Sequence, residues 1–211
     1  MKKTLFALAV MAATTVPAFA NSVDVKVRGT ITPDACTPTL ANGGVFDYGV
    51  IKANTLFTDQ FTVLGEKSQK LNVTCSAPTK LALKVTSSRP DTDKPAGFPV
   101  NYLAFAAVND MKVGGYALMI SSPIVDGAVA KLIAKIDNGV YGPLEDQTEM
   151  YTSSVTNRLI AFNSGSASTP QALTTLSADI NVYAQINEAS ALDLSNEIKI
   201  DGLATIELVY L

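Results

Sequence analysis

Apolar and polar residues alternate with a period of two in several short runs of this chain. In the first run, Val23, Val25 and Val27 are separated by charged residues, and in the last run Ala204, Ile206, Leu208 and Tyr210 share one face. A period of two is the repeat of a β-strand with one buried face. The pattern therefore predicts strands in five places: residues 23–27, 71–75, 81–85, 178–186 and 204–210.

Two further runs, residues 101–108 and 116–121, are more continuously apolar and predict core strands. Residues 128–136 fit a short helix and a strand equally well. Glycine, proline and asparagine separate the runs and predict turns, among them Asp201-Gly202. Many short strands with frequent turns are typical of a β-sandwich or barrel, so we predict an all-β fold.

The first twenty residues have the pattern of a secretory signal peptide. Lys2 and Lys3 precede an apolar run that is too short to span a bilayer, and small residues surround the peptide bond between Ala20 and Asn21. A buried N-terminal helix is the alternative interpretation. We expect residues 1–20 to be removed on export and residues 21–211 to form one domain, with no membrane span in either part.

The two cysteines, Cys36 and Cys75, both lie in the predicted mature chain. An exported protein enters an oxidising compartment, where an even pair of cysteines favours one disulfide bond. Two unconnected buried thiols are the alternative. A metal pair is disfavoured because the chain has no histidine to complete the ligand set.

The composition argues against catalysis and against nucleic-acid binding. The chain has no histidine and no tryptophan, a formal net charge of -3 and 17% charged residues. A nucleic-acid surface needs clustered lysine and arginine, which are absent from the sequence. The acidic residues Glu145, Asp146 and Glu149 could serve acid–base chemistry, but a solvated loop is the favoured interpretation. We therefore expect no enzymatic activity, no cofactor and no metal.

Several motifs resemble subunits of chaperone–usher fimbriae, the pilins of Gram-negative bacteria. Residues 27–31 lead into Cys36 with a glycine seven residues ahead of it, and Tyr210 is the penultimate residue on an alternating strand. The chain is also similar to fimbrial-like periplasmic proteins of enterobacteria. Residues 89–177 carry none of the motifs. The other matching motifs are Phe46-Asp47-Tyr48-Gly49, Leu71-Asn72-Val73-Thr74-Cys75 and Val182-Tyr183-Ala184-Gln185.

This resemblance implies an immunoglobulin-like sandwich that lacks its last strand and exposes an apolar groove. It implies three kinds of partner: a periplasmic chaperone, an outer-membrane usher, and neighbouring subunits that insert a donor strand. Val23, Val25 and Val27 would form that donor strand, and the strand containing Tyr210 would edge the groove. The implied location is the periplasm and a surface fimbrium that serves in cell adhesion. The alternative is a soluble periplasmic or surface binding protein whose fold is complete in itself.

Overall fold

The computed structural model describes residues 35–150, 158–165 and 168–211, which lie within one compact unit, Asp34–Leu211. The predicted signal peptide, the Ala20–Asn21 bond and the proposed donor residues Val23, Val25 and Val27 lie outside the described residues. In the described ranges the regular elements are β-strands and four short 3₁₀ turns, so the predicted all-β fold is confirmed. The strands are β1 (Cys36–Leu40), β2 (Thr62–Ser87), β3 (Leu103–Ala104), β4 (Gly114–Val125), β5 (Ala128–Val129), β6 (Lys131–Ile136), β7 (Gly142–Pro143), β8 (Gln147–Glu149), β9 (Arg158–Asn163), β10 (Ala172–Ile186) and β11 (Ala204–Tyr210).

The long strand β2 belongs to two sheet sections and joins them into a sandwich-like fold. Its first part pairs with β1 on one edge and with β10 on the other, and β10 continues to β4 and β3. Its last part pairs with β11 on one edge and with β9, followed by β6 and β7, on the other. All these pairings are antiparallel. A strand that passes from one section to the other is a common way to form a corner between packed sheets.

The sequence predicts two strands at residues 71–75 and 81–85, and the structure merges them into β2. Both runs direct their alternate side chains into the same interior, with Leu71 and Val73 buried in one and Leu81 and Leu83 in the other. The residues between them, which include Pro78, keep an extended backbone while the strand changes neighbours. The core therefore lies between the two sections.

Other local expectations had mixed outcomes. Residues 128–136 form β5 and β6, which settles the choice between helix and strand. The run at residues 101–108 contains only the two-residue strand β3. The turn predicted at Asp201-Gly202 is wrong, because no turn is assigned there and the chain enters β11 from this segment. None of the helices in the described ranges is long and apolar enough to cross a bilayer.

The predicted disulfide is present. Cys36 and Cys75 are directly opposite each other in the pairing of β1 with β2, and their sulfurs are bonded across 39 residues of sequence. The bond attaches the short first strand to the long central one.

Candidate functional site

A groove of about 1350 Å³ opens along the side of the sandwich where β1 and β11 lie. One wall consists of residues 38–51, which include the end of β1, and the other consists of residues 194–206, which include the start of β11. Both strands pair with the same central strand, β2, at successive positions along it. The groove therefore lies where the two sheet sections separate.

The floor of the groove is apolar because it is part of the protein core. Ile180 and Val182 of β10 face inward, as do Tyr116 and Leu118 of the neighbouring β4. Tyr116 is only 6% exposed, and burial raises the pKa of its hydroxyl well above the ordinary value. Such a surface binds apolar side chains and disfavours charged ones.

The first wall is held in place by the Phe46-Asp47-Tyr48-Gly49 motif. The Tyr48 hydroxyl donates a hydrogen bond to the carbonyl oxygen of Val182, over 2.9 Å, and its ring packs against the core. The Asp47 carboxylate accepts a hydrogen bond from the backbone N–H of Gly49, over 2.7 Å. The motif on which part of the pilin resemblance rests thus builds one side of the groove.

The second wall begins well before β11. Ile198 and Ile200 pack against the core. Ala204 and Ile206, which continue the same alternation of every second residue, do so as well. Between Ile200 and Ala204, the backbone of Gly202 lies against the ring of Tyr116. A Cβ atom at this position would lie 2.6 Å from Tyr116 Cε1, so only glycine fits without displacement.

Each wall presents to the groove a sheet edge that is unpaired among the described strands. β1 and β11 each use one edge to pair with β2, and no described strand pairs with the opposite edge of either. The backbone of residues 197–200 makes no hydrogen bond within the described ranges. On the facing wall, Val50 is 95% exposed. An extended peptide in the groove could therefore bond to backbone groups on both sides.

Beyond the groove, Tyr210 near the end of β11 approaches the start of β1. The hydroxyl of Tyr210 accepts a hydrogen bond from the backbone N–H of Cys36, over 3.0 Å. The Tyr210 side chain is 52% exposed and so is not buried in the core of the described residues. Of the four residues assigned to the C-terminal edge, Ala204 and Ile206 line the groove, whereas Leu208 and Tyr210 lie beyond it.

The chemistry available in the groove is apolar contact and backbone hydrogen bonding. The acidic residues Glu145, Asp146 and Glu149 do not line it, and Glu149 accepts a hydrogen bond from the side-chain amide of Asn101, over 3.1 Å. Within the described residues, no group of three or more histidine, cysteine or acidic side chains is arranged to hold a metal ion.

Sequence analysis missed Ile198 and Ile200 as groove residues. The missed pattern was the alternation of these isoleucines with Glu197, Lys199 and Asp201, which continues without a break into β11. Because a turn was predicted at Asp201-Gly202, the strand-like alternation was taken to begin only after it, at Ala204.

Comparison with known proteins yields two relatives of similar length. Protein GltF of Escherichia coli (strain K12) is 26% identical over 100% of this chain and 99% of its own. The protein YhcF of the same organism, described as uncharacterized, is 30% identical over 91% of this chain and 92% of its own. Residues 25–117 match a family model described as a protein of unknown function, DUF1120. Because the similarity to YhcF reaches 30% identity and extends over nine-tenths of both proteins, the chain belongs to the same protein family as YhcF.

Proposed function

We propose that the protein is a structural subunit of a chaperone–usher surface fimbria, assembled by donor-strand complementation. The observation that carries this proposal is the apolar groove between two sheet edges with which no described strand pairs. An exposed groove of this kind aggregates unless another strand covers it. A periplasmic chaperone would cover it first, and the donor strand of a neighbouring subunit would replace the chaperone at the outer-membrane usher.

The donor strand in this proposal is the segment that contains Val23, Val25 and Val27. Alternate valines can enter the apolar groove while the intervening charged side chains remain in water. Burying three valines contributes about 5 kcal/mol before the cost of ordering the strand. Backbone hydrogen bonds to both walls would add to the stability of the joint and slow its dissociation. The protein then acts in the periplasm and in the fimbrium, and it has no catalytic role.

The test is the removal of the donor residues in the presence of the cognate chaperone and usher. We expect a variant that lacks residues 22–27 to accumulate as a folded complex with the chaperone and to form no oligomers. Replacing Val23, Val25 and Val27 together with serine keeps the length of the segment and should have the same effect. The matched control is Val129→Ser, which changes a valine that is 81% exposed and outside the groove.

Two results would contradict the proposal. If the truncated protein unfolds or is degraded with the chaperone present, the segment belongs to the core of its own molecule. If the wild-type protein is a stable monomer without any chaperone, the alternative of a self-complete periplasmic or surface binding protein is favoured. Size-exclusion chromatography and SDS-resistant oligomers on gels distinguish these results.

A further inference from the structure

The outer face of β10 lies on the other side of the sheet from the groove. Ile180 and Val182 of this strand line the groove floor, and Asn181 and Tyr183 alternate with them along the chain. Successive residues of a strand point to opposite faces, so Asn181 and Tyr183 face outward. A ligand bound on this outer face would therefore leave the groove open.

The ring of Tyr183 lies across the outer face instead of standing upright on it. Tyr183 is directly opposite Ala117 of β4, and its hydroxyl accepts a hydrogen bond from Nε2 of Gln147, over 3.1 Å. Gln147 belongs to β8, which pairs with the far edge of β4. Neighbouring strands are about 4.8 Å apart, so a ring whose hydroxyl reaches beyond the next strand lies along the sheet. Ala117 beneath it is accordingly buried.

Tyr102 crosses the same strand from the opposite side. It comes immediately before β3, and its hydroxyl accepts a hydrogen bond from Nε2 of Gln185 on β10, over 3.1 Å. Gln185 is opposite Gly115 of β4, so this ring also covers a small residue of that strand. Burial raises the pKa of the Tyr102 hydroxyl, and the nearby groups of Glu149 and Tyr183 raise it further. The two rings and this carboxylate therefore form one cluster.

Amide and carboxylate groups border the two rings. Glu149 on β8 accepts a hydrogen bond from Nδ2 of Asn101, over 3.1 Å, and Gln147 on the same strand is held by Tyr183. An ionised carboxylate accepts several hydrogen bonds, and an amide has two N–H donors and an acceptor oxygen, so both groups can bond to a ligand as well. Because these bonds already order the side chains, a ligand would meet a low entropic cost on binding.

The charges of the outer face disfavour an acidic ligand. Lys70 and Asp179, which are opposite each other on β2 and β10, form an ion pair and cancel. Near the rings, the charged side chains at outward positions are carboxylates: Glu66, which is opposite Tyr183, and Glu149. An anion placed on the rings would be repelled by both of them.

We propose that this outer face binds a neutral saccharide. A sugar ring has apolar C–H groups on its face and hydroxyls around its edge, which matches an aromatic ring bordered by amide and carboxylate groups. The sugar packs on the rings of Tyr183 and Tyr102, and its hydroxyls bond to Gln147 and Glu149. The proposal does not depend on fimbrial assembly, because the outer face and the groove lie on opposite sides of the sheet.

The test is binding of the exported full-length protein to an array of immobilised neutral and acidic oligosaccharides. We expect binding to neutral members and none to sialylated or sulfated ones. Titration calorimetry with the strongest neutral oligosaccharide then compares variants. Tyr183→Ala removes one ring and should abolish binding. Glu149→Gln should weaken binding about 2- to 10-fold, the net value of one hydrogen bond.

The matched control is Glu207→Gln, which makes the same change at an exposed position on β11 and should leave saccharide binding unchanged. Thermal unfolding shows whether Tyr183→Ala keeps its fold. If this variant melts at a lower temperature than the wild type, the comparison of Glu149→Gln with Glu207→Gln decides the outcome.

Four results would overturn the proposal. They are no binding to any neutral saccharide of the array, binding restricted to acidic saccharides, equal affinity of wild type and a folded Tyr183→Ala variant, and equal affinity of the two glutamine variants. If the wild type instead forms dimers that Tyr183→Ala dissociates, the outer face is a protein interface and not a saccharide site.

Discussion

The backbone N–H of Cys36 donates a hydrogen bond to the hydroxyl of Tyr210, over 3.0 Å, and so connects the first described strand to the last. The two residues are 174 positions apart in sequence and meet outside the groove. Cys36 is also joined to β2 by its disulfide, so the start of β1 is connected to both β2 and β11.

We expect Tyr210→Phe to lower the free energy of unfolding by about 1 kcal/mol, the usual net contribution of one hydrogen bond. The ring is half exposed, so the loss should come from the hydroxyl rather than from packing. Urea denaturation measures the change. Tyr141→Phe is the control, because the Tyr141 hydroxyl is buried without a partner in the described residues and its removal should be neutral or stabilising. A larger loss for Tyr141→Phe than for Tyr210→Phe would contradict this account.

Removing the disulfide by changing both Cys36 and Cys75 to alanine should destabilise the protein strongly. A cross-link that spans 39 residues contributes about 4 kcal/mol in the chain-entropy description of the unfolded state. The denaturation midpoint of the double variant should match that of the wild type under reducing conditions. Full thiol labelling of denatured, unreduced wild-type protein would show that the bond does not form.

Gly202→Ala should destabilise the groove wall by about 1 to 3 kcal/mol, the range for inserting a methyl group into a packed site. The new Cβ would lie 2.6 Å from Tyr116 Cε1 and close to the Phe105 ring, which stacks on Tyr116. Gly142→Ala is the control, because a Cβ there meets no atom within 4 Å. Thermal unfolding of the two variants checks the difference, and equal melting temperatures would refute it.

Asp126 should make the stability depend on pH in the acidic range. Its Oδ1 accepts hydrogen bonds from the backbone and hydroxyl groups of Thr174 and Thr175, and these bonds lower the pKa of the carboxyl. A lowered pKa in the folded state adds stability above about pH 4, which is lost as the pH falls through the folded-state value. Asp126→Asn should therefore be less stable than the wild type at pH 7, with the difference shrinking toward pH 3. A difference independent of pH would contradict the role of the charge.

Cleavage between Ala20 and Asn21 remains a prediction from the sequence. The intact mass of the exported protein should correspond to residues 21–211. A mass that retains residues 1–20 would remove the argument for an oxidising compartment and leave the donor segment buried in a longer N-terminal extension.

The sequence by itself determined the fold class, the disulfide pair and most of the strands. Alternation such as that of Leu71, Val73 and Cys75 is a local property, because each side chain need only face one side of a strand. The cysteine pair needed only export and an even count to predict its bond. For the same local reason, the resemblance of the motif around Tyr48 to a pilin motif could be noticed before its position in the fold was known.

Only the tertiary structure decided which surfaces remain open. Two predicted strands merged into β2, and a groove formed between two edges that are unpaired among the described strands. Both results depend on which strands become neighbours, and no local pattern encodes that. Gly202 shows the difference most clearly: in the sequence, Asp201-Gly202 predicts a turn, whereas in the fold the glycine is required because the chain crosses the Tyr116 ring too closely for a Cβ. The alternation of Ile198 and Ile200 was visible in the sequence, but it acquired meaning only when packing placed both side chains against the core on one wall of the groove.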